Sequence, residues 1–174
     1  VMTYFNPVLQ YGVDRFCKEA AESGFSGLLV PDLPPEEATP VLTVAERCGL
    51  AFVPFVAPTS TPERIRLATS VGSGFVYCIS LTGVTGIRDS LSERAKELVG
   101  RLRTITSMPV LVGFGISSPE HARQACTWAD GVVVGSALVH RIAQARDQEE
   151  AVRAVRGFIE AIRSEMDQVQ VNRL

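Results

Sequence analysis

The sequence lacks the features that mark several large classes of protein. Its 174 residues include only two histidines and four cysteines, and no two cysteines are spaced as CxxC, which argues against a zinc site or a disulfide framework. No apolar run approaches the roughly 20 residues that a membrane-spanning helix needs, and no signal-peptide pattern is apparent. We therefore expect a cytoplasmic protein with reduced cysteines and no metal ion.

The chain also lacks an excess of charge of either sign. The formal net charge is −2, and the Lys and Arg residues are interspersed with Asp and Glu. Nucleic acids and anionic membranes bind clustered Lys and Arg, so we expect neither as a partner. Apolar residues make up 46% of the chain and charged residues 21%, a composition typical of globular domains.

Short apolar runs alternate with helical patterns along the chain. Such runs, separated by helices, are typical of a parallel sheet with helical crossovers. The predicted strands are residues 1–5, 27–30, 51–56, 74–80, 109–112 and 131–134. A complete (β/α)8 TIM barrel needs about 250 residues, so the chain corresponds to six of its eight βα units. We predict an α/β fold in which residues 1–174 form one partial-barrel domain.

Hydroxyl residues followed by proline mark the starts of three predicted helices. Thr39 is expected to cap its helix, with Pro40 at the first helical position, and Ser118-Pro119 is expected to cap another. A third helix is predicted to run from Thr61-Pro62 to Val71. The last helix is predicted over residues 149–166, with one apolar stripe facing the core. The members of that stripe are Val152, Val155, Ile159, Ile162 and Met166.

Two glycine-containing turns follow consecutive predicted strands. The sequence GFGIS begins at Gly113, after the fifth strand, and Gly135-Ser136 follows the sixth. Glycine lets the backbone approach an anion closely, and Ser136 is expected to cap a helix whose N-terminal dipole favours negative charge. In a parallel barrel, function lies at this end of the strands. We therefore predict that Gly115, Gly135 and Ser136 bind a phosphate group.

The connection after the fourth predicted strand is longer than its neighbours. Residues 80–89 read SLTGVTGIRD, with possible hinges at Gly83 and Gly86. Its position beside the predicted phosphate site favours a lid that closes over substrate and excludes water.

Several of these segments together resemble the tryptophan synthase alpha subunit family. The resemblance is carried by residues 29–37 (LVPDLPPEE), 80–86 (SLTGVTG) and 113–117 (GFGIS), with support from residues 2–7 (MTYFNP) and 135–137 (GSA). The segments occur in the family's order and spacing over essentially the whole chain.

The resemblance implies a (β/α)8 barrel that cleaves indole-3-glycerol phosphate to indole and glyceraldehyde 3-phosphate by a retro-aldol reaction. It also implies an alpha2beta2 assembly with a beta subunit that receives indole through a channel. Pyridoxal phosphate is expected on that beta subunit, and no cofactor on this chain.

Site residues follow from the resemblance position by position. It implies that Gly86, Gly115, Gly135 and Ser136 bind the substrate phosphate, and that Gly83 and Thr85 lie on the lid. The substrate pocket would be lined by Leu29, Phe55, Tyr77, Phe114 and Val133. The beta-subunit interface would contain Asn6, Pro7, Asp32 and Pro34.

The family's catalytic carboxylates fall outside the matching segments. The resemblance implies that its general acid–base glutamate and the aspartate that orients the indole nitrogen lie upstream of Val1. An aldol cleavage needs a group that removes one proton and a group that supplies another. Asp32, Glu36 and Glu37 align with the partner-facing loop and cannot replace them. We expect this chain to carry no catalytic residue and to be inactive alone.

Two other readings stay open from the residues. Phosphoribosylanthranilate isomerase and indole-glycerol-phosphate synthase share the glycine-based phosphate site, although the LTGVTG and PDLPP segments argue against them. Alternatively, the chain is a non-catalytic module that binds a phosphorylated ligand or docks on the beta subunit.

Overall fold

The computed structural model describes residues 1–79, 88–113 and 115–170. Short strands alternate with helices along this part of the chain. The strands are β1 Gly27–Leu28, β2 Ala51–Phe52, β3 Phe55–Val56, β4 Val76–Ile79, β5 Val110–Gly113 and β6 Gly131–Val132. The helices are α1 Phe5–Tyr11, α2 Val13–Glu22, α3 Thr39–Arg47, α4 Pro62–Val71, α5 Arg88–Arg103, α6 Pro119–Cys126, α7 Ser136–Gln144 and α8 Gln148–Gln170.

The chain divides into two compact units. Unit 1 consists of Val1–Tyr77 and Arg101–Pro109, and unit 2 consists of Cys78–Gly100 and Val110–Leu174. The boundary falls inside β4 and inside the last turns of α5. The prediction of one domain over residues 1–174 stays a prediction.

Unit 1 begins differently from the predicted strand over residues 1–5. Only Met2 forms a β-bridge, parallel to Leu29, and α1 already begins at Phe5. Pro7 does not prevent a helix here, because proline is tolerated in the first turn of a helix. In addition, the Phe5 N–H donates to Asp32 Oδ1 at 2.8 Å, an acceptor that a strand prediction does not include.

The predicted strand over residues 51–56 is two strands. β2 pairs in parallel with β1, with Ala51 opposite Gly27, and the ladder stops at Pro54, whose nitrogen has no hydrogen to donate. The Pro54 carbonyl instead accepts from the Tyr77 N–H at 2.9 Å. The proline therefore ends the pairing with β1 and begins a contact with β4.

The core of unit 1 lies between β1, β2 and the helices α2 and α3. Its buried members are Cys17, Ala20, Leu28, Val30, Leu33, Ala38, Val41, Val44, Ala45, Leu50 and Phe52. α3 begins one residue earlier than predicted, next to the buried Ala38. Ala38 is the N-cap and Thr39 the first helical residue, so the prediction of Thr39 as the cap is wrong. The helix predicted from Thr61-Pro62 to Val71 is confirmed as α4, and the Thr61 hydroxyl caps it by accepting from the Arg64 N–H.

In unit 2, α8 packs on α6 and α7 through a face that differs from the predicted stripe. Phe158 and Ile162 are buried, and the Arg141 guanidinium lies over the Phe158 ring, 3.4 Å from its centroid. Val152 and Ile159 remain 50% and 42% exposed. The prediction is wrong for these two residues because the contact face is centred on Phe158, which the stripe did not include.

Cys17, Cys48 and Cys78 form no disulfide. Burial raises the pKa of the Cys78 thiol to about 12, so this thiol stays protonated and unreactive at neutral pH. Among the helices of the described residues, none is long and apolar enough to cross a membrane.

Candidate functional site

The two glycine turns of the predicted phosphate site lie at the same end of neighbouring strands. β5 and β6 are parallel, with Leu111 opposite Gly131 and Val112 opposite Val132. The pairing continues because the Val133 N–H donates to the Val112 carbonyl at 2.8 Å. Both strands therefore end on the same side of the sheet, and the segments that carry Gly115 and Gly135 follow them next to each other within unit 2.

Gly115 adopts a backbone conformation that suits glycine. Its φ is +54°, in the left-handed region that a side chain disfavours. A Cβ at this position would meet no atom within 4 Å, so the backbone faces open space. This combination fits a turn whose peptide groups are accessible to a ligand.

The segment between Gly115 and α6 is held by side chains. The Ser118 hydroxyl accepts from the His121 N–H at 3.2 Å, which confirms Ser118 as the cap of α6. His121 Nδ1 lies 3.2 Å from the Ser117 hydroxyl and 3.4 Å from the Ser117 nitrogen. His121 therefore fixes the end of the glycine turn.

The start of α7 corrects one detail of the sequence prediction. Gly135, not Ser136, is the N-cap, and Ser136 is the first helical residue. The Gly135 carbonyl accepts from the Leu138 and Val139 N–H groups. Within α7, which is described throughout, no side chain caps the first turn and no acidic residue lies in it. The positive end of this helix is therefore open to an anion.

In unit 1, two residues of the predicted substrate pocket form an aromatic pair. The rings of Phe55 and Tyr77 are stacked, with centroids 4.8 Å apart and an interplanar angle of 25°. Tyr77 is buried, and burial raises the pKa of its hydroxyl. The pair forms a flat apolar surface.

The other predicted pocket residues are placed by backbone hydrogen bonds. Leu29 follows β1, where its N–H donates to the Val1 carbonyl and its carbonyl accepts from the Thr3 N–H. Val133 follows β6 in the same way within unit 2. Phe114 lies outside the described residues, as do Gly83, Thr85 and Gly86, so the lid and one of the predicted phosphate ligands are predictions from the sequence.

The predicted partner-facing residues lie on adjoining segments of unit 1. Asn6 and Pro7 are exposed in the first turn of α1, and Asp32 is exposed in the loop after β1, with Pro34 half-buried. The bond from the Phe5 N–H to Asp32 joins the two segments. The sequence prediction placed both segments at one interface but contained no sign of this link.

A cavity of about 130 Å³ in unit 1 is lined mainly by residues of the predicted partner-facing loop and its surroundings, and by only one residue of the predicted substrate pocket. It contains Phe55, assigned to the substrate pocket, but neither Leu29 nor Tyr77. It is lined by Val30, Pro31, Asp32, Leu33, Pro34, Pro35, Phe52, Val53, Pro54, Phe55, Arg64, Ala68 and Val71. This cavity therefore belongs to the partner-facing loop more than to the aromatic pair. In the described ranges, no group of three or more His, Cys, Asp or Glu side chains could hold a metal ion.

Comparison with known proteins identifies the family. The sequence profile described as "Tryptophan synthase alpha chain" matches residues 1–169. The chain belongs to the tryptophan synthase alpha chain family. The alpha chain of Thermosynechococcus vestitus is 45% identical over 168 residues, which are 96% of this chain and 62% of that protein. The chain thus spans about three-fifths of the length of this relative.

Solved structures agree with the family assignment. Tryptophan synthase from M. tuberculosis in its aminoacrylate-bound form has a TM-score of 0.83 and 38% identity, covering 95% of this chain and 60% of that chain. The alpha chain from Legionella pneumophila has a TM-score of 0.83 and 33% identity, covering 97% and 62%. These similarities confirm the predicted α/β fold of the (β/α)8 TIM barrel type. They favour the alpha chain family over the isomerase and synthase alternatives.

Glu120, in the first turn of α6, provides a pH-dependent test of how this helix is held. The carboxylate accepts from Arg123 and from Gln124, and these bonds lower its pKa to about 2. A lowered pKa stabilises the folded state above the ordinary carboxyl pKa near 4.5, and the contribution disappears as the pH falls from about 4.5 to about 2. Because Glu120 is exposed, we expect a small effect.

The measurement is the melting temperature of Glu120→Gln against the parent chain from pH 7 to pH 2. The variant should melt below the parent at pH 7, and the difference should vanish toward pH 2. Glu97→Gln, at an exposed glutamate of α5, is the control. A difference that is independent of pH would contradict the role of the carboxylate charge.

Proposed function

We propose that the protein acts in the retro-aldol cleavage of indole-3-glycerol phosphate to indole and glyceraldehyde 3-phosphate. Membership of the tryptophan synthase alpha chain family supports this reaction. The observation that carries the proposal is the pair of glycine turns on the parallel strands β5 and β6. They offer backbone N–H groups to a phosphorylated substrate.

The phosphate is proposed to bind between the Gly115 turn and the first turn of α7. The N–H groups of Ser136 and Ala137 lie in that first turn, where a helix has no internal acceptors for them. A phosphate dianion gains from these donors and from the helix dipole together. Open space at Gly115 and Gly135 lets the phosphate oxygens approach the backbone.

The indole ring is proposed to bind against the Phe55–Tyr77 pair. Aromatic rings interact best in offset-stacked or edge-to-face arrangements, and the stacked pair presents one such surface. A tyrosine hydroxyl is neutral at physiological pH, and burial raises the pKa of the Tyr77 hydroxyl further. We assign Tyr77 to substrate binding.

The acid and base of the reaction are proposed to come from outside this sequence. The chain spans about 62% of the Thermosynechococcus relative, and none of the predicted pocket residues is a carboxylate. A tryptophan synthase beta subunit is the proposed partner, binding at Asn6, Pro7, Asp32 and Pro34 in an alpha2beta2 assembly. Pyridoxal phosphate is proposed to belong to that subunit, and no cofactor to this chain.

The test measures ligand binding and indole release by the chain separately. We expect indole-3-propanol phosphate to bind with a calorimetric heat signal, and indole-3-glycerol phosphate to yield no indole above the uncatalysed rate. Indole release that Gly135→Val abolishes would show that the chain contains its own acid and base. Absence of binding by the phosphorylated indole ligand would contradict the proposed site.

A further inference from the structure

We propose that Asp32 is a positioning residue that joins two separate segments into one partner-binding surface. Its carboxylate accepts from the Phe5 N–H at 2.8 Å across 27 residues of sequence. Through this bond, Asp32 fixes the start of α1 and therefore the positions of Asn6 and Pro7. The inference rests on the proposed assembly with a beta subunit, and it assigns Asp32 a role other than direct contact with that subunit.

The bond extends a ladder that already runs between the two segments. Met2 and Leu29 form a parallel bridge, in which the Leu29 N–H donates to Val1 and the Leu29 carbonyl accepts from Thr3. Three residues further along both segments, Phe5 meets Asp32. The Asp32 side chain thus continues the hydrogen bonding between the two segments at the point where the first segment changes from extended to helical.

The sequence of α1 supplies no cap of its own. Its N-cap residue is Tyr4, whose side chain makes no capping bond, and its first turn contains no acidic residue. At seven residues, α1 is also far shorter than a helix that is stable alone in water. A carboxylate is among the strongest helix-capping groups and suits the positive end of the dipole. Asp32 therefore provides the capping acceptor and the negative charge that the sequence of α1 lacks.

The remaining residues of α1 divide into a buried side and an exposed side. Val8 is fully buried and anchors the helix from below, whereas Leu9 is 53% and Tyr11 45% exposed. Asn6 and Pro7 are exposed beside them. Gln10 is exposed as well. The exposed residues of α1 thus include apolar side chains and two amides, which fits a partner surface that offers apolar side chains and backbone polar groups. The buried Val8 and the bond from the Phe5 N–H to Asp32 thus both hold α1 in place.

Substitutions at Asp32 separate a cap from a direct ionic contact. Asp32→Asn keeps an oxygen acceptor for the Phe5 N–H but removes the charge, whereas Asp32→Ala removes both. If the residue acts through α1, we expect the alanine variant to bind the beta subunit about 5-fold more weakly and the asparagine variant less than about 2-fold, since a helix cap contributes roughly 1 kcal/mol and 1.4 kcal/mol is tenfold. Glu46→Gln, at an exposed carboxylate of α3 outside the partner-facing loop, should leave affinity unchanged.

A second readout uses Asn6. If Asp32 acts by placing Asn6, the losses for Asn6→Ala and Asp32→Ala should not add in the double variant. Hydrogen exchange of the free protein should also become faster at the α1 amides in Asp32→Ala and much less so in Asp32→Asn. The exchange measurement needs no partner, so it tests the cap even if the chain does not bind a beta subunit.

The outcomes distinguish failure of the proposed function from failure of the role assigned to Asp32. Failure of the parent chain to bind any beta subunit, with α1 still protected by Asp32, would contradict the proposed function only. Equal losses for the asparagine and alanine variants, additive with Asn6→Ala and without change in α1 exchange, would show direct contact and overturn the inference. Unchanged affinity and unchanged exchange in Asp32→Ala would overturn it as well.

Discussion

Replacing Gly135 by valine is expected to weaken binding of a phosphorylated ligand by about 10- to 100-fold while leaving the fold unchanged. The N–H groups of the first turn of α7 are the proposed phosphate donors, and a hydrogen bond to a charged group contributes about 1.5–3 kcal/mol. A branched side chain at the N-cap occupies the space through which the phosphate approaches. A Cβ at Gly135 meets no atom within 4 Å, so the protein itself accommodates it.

The measurement is calorimetric titration with indole-3-propanol phosphate, together with the circular dichroism spectrum of each variant. Gly157→Ala, at another glycine whose Cβ would meet nothing within 4 Å, is the matched control and should bind like the parent chain. Gly115→Val should also weaken binding, but its φ of +54° adds backbone strain to the loss. Unchanged affinity in Gly135→Val would place the phosphate elsewhere.

Replacing Leu28 by alanine is expected to cost about 2–5 kcal/mol of unfolding free energy. Leu28 lies in β1 and is fully buried in the core of unit 1, where removal of three side-chain carbons leaves a cavity that close-packed neighbours fill only partly. Urea denaturation measures the loss. Leu28→Val should cost less, because it removes one carbon.

The control for this prediction is the same substitution at an exposed leucine. Leu9→Ala, on the 53% exposed Leu9 of α1, should change the unfolding free energy by less than about 0.5 kcal/mol. Equal losses at the two positions would show that Leu28 is not part of a packed core. Because Leu9 lies on the proposed partner surface, Leu9→Ala should instead weaken binding of the beta subunit.

Features that depend on neighbouring residues could be predicted from the sequence. The Thr61 and Ser118 caps are local, since each hydroxyl bonds an N–H three residues later. The alternation of strands and helices, and therefore the α/β class, also follows from local apolar patterns. Gly115 follows a predicted strand and precedes a predicted capped helix, and its left-handed backbone conformation agrees with a turn at this position.

Features that depend on distant residues could not be predicted. Phe5 begins a helix because Asp32, 27 residues away, accepts its N–H, and no pattern within residues 1–5 contains that information. The break at Pro54 depends on the Tyr77 N–H that its carbonyl meets. The exposure of Val152 follows from the packing of Phe158, which the helical period alone does not determine.

The most direct test of the proposed site is a calorimetric competition between two phosphorylated ligands. The proposed phosphate contacts at Gly115 and Gly135 predict that Gly135→Val weakens binding of both ligands. The proposed indole contacts at Phe55 and Tyr77 predict that indole-3-propanol phosphate binds more tightly than an aminodeoxyribulose phosphate analogue. Tighter binding of the aminodeoxyribulose analogue, or binding of the indole ligand that is insensitive to Gly135→Val, would contradict the site and the reaction assigned to it.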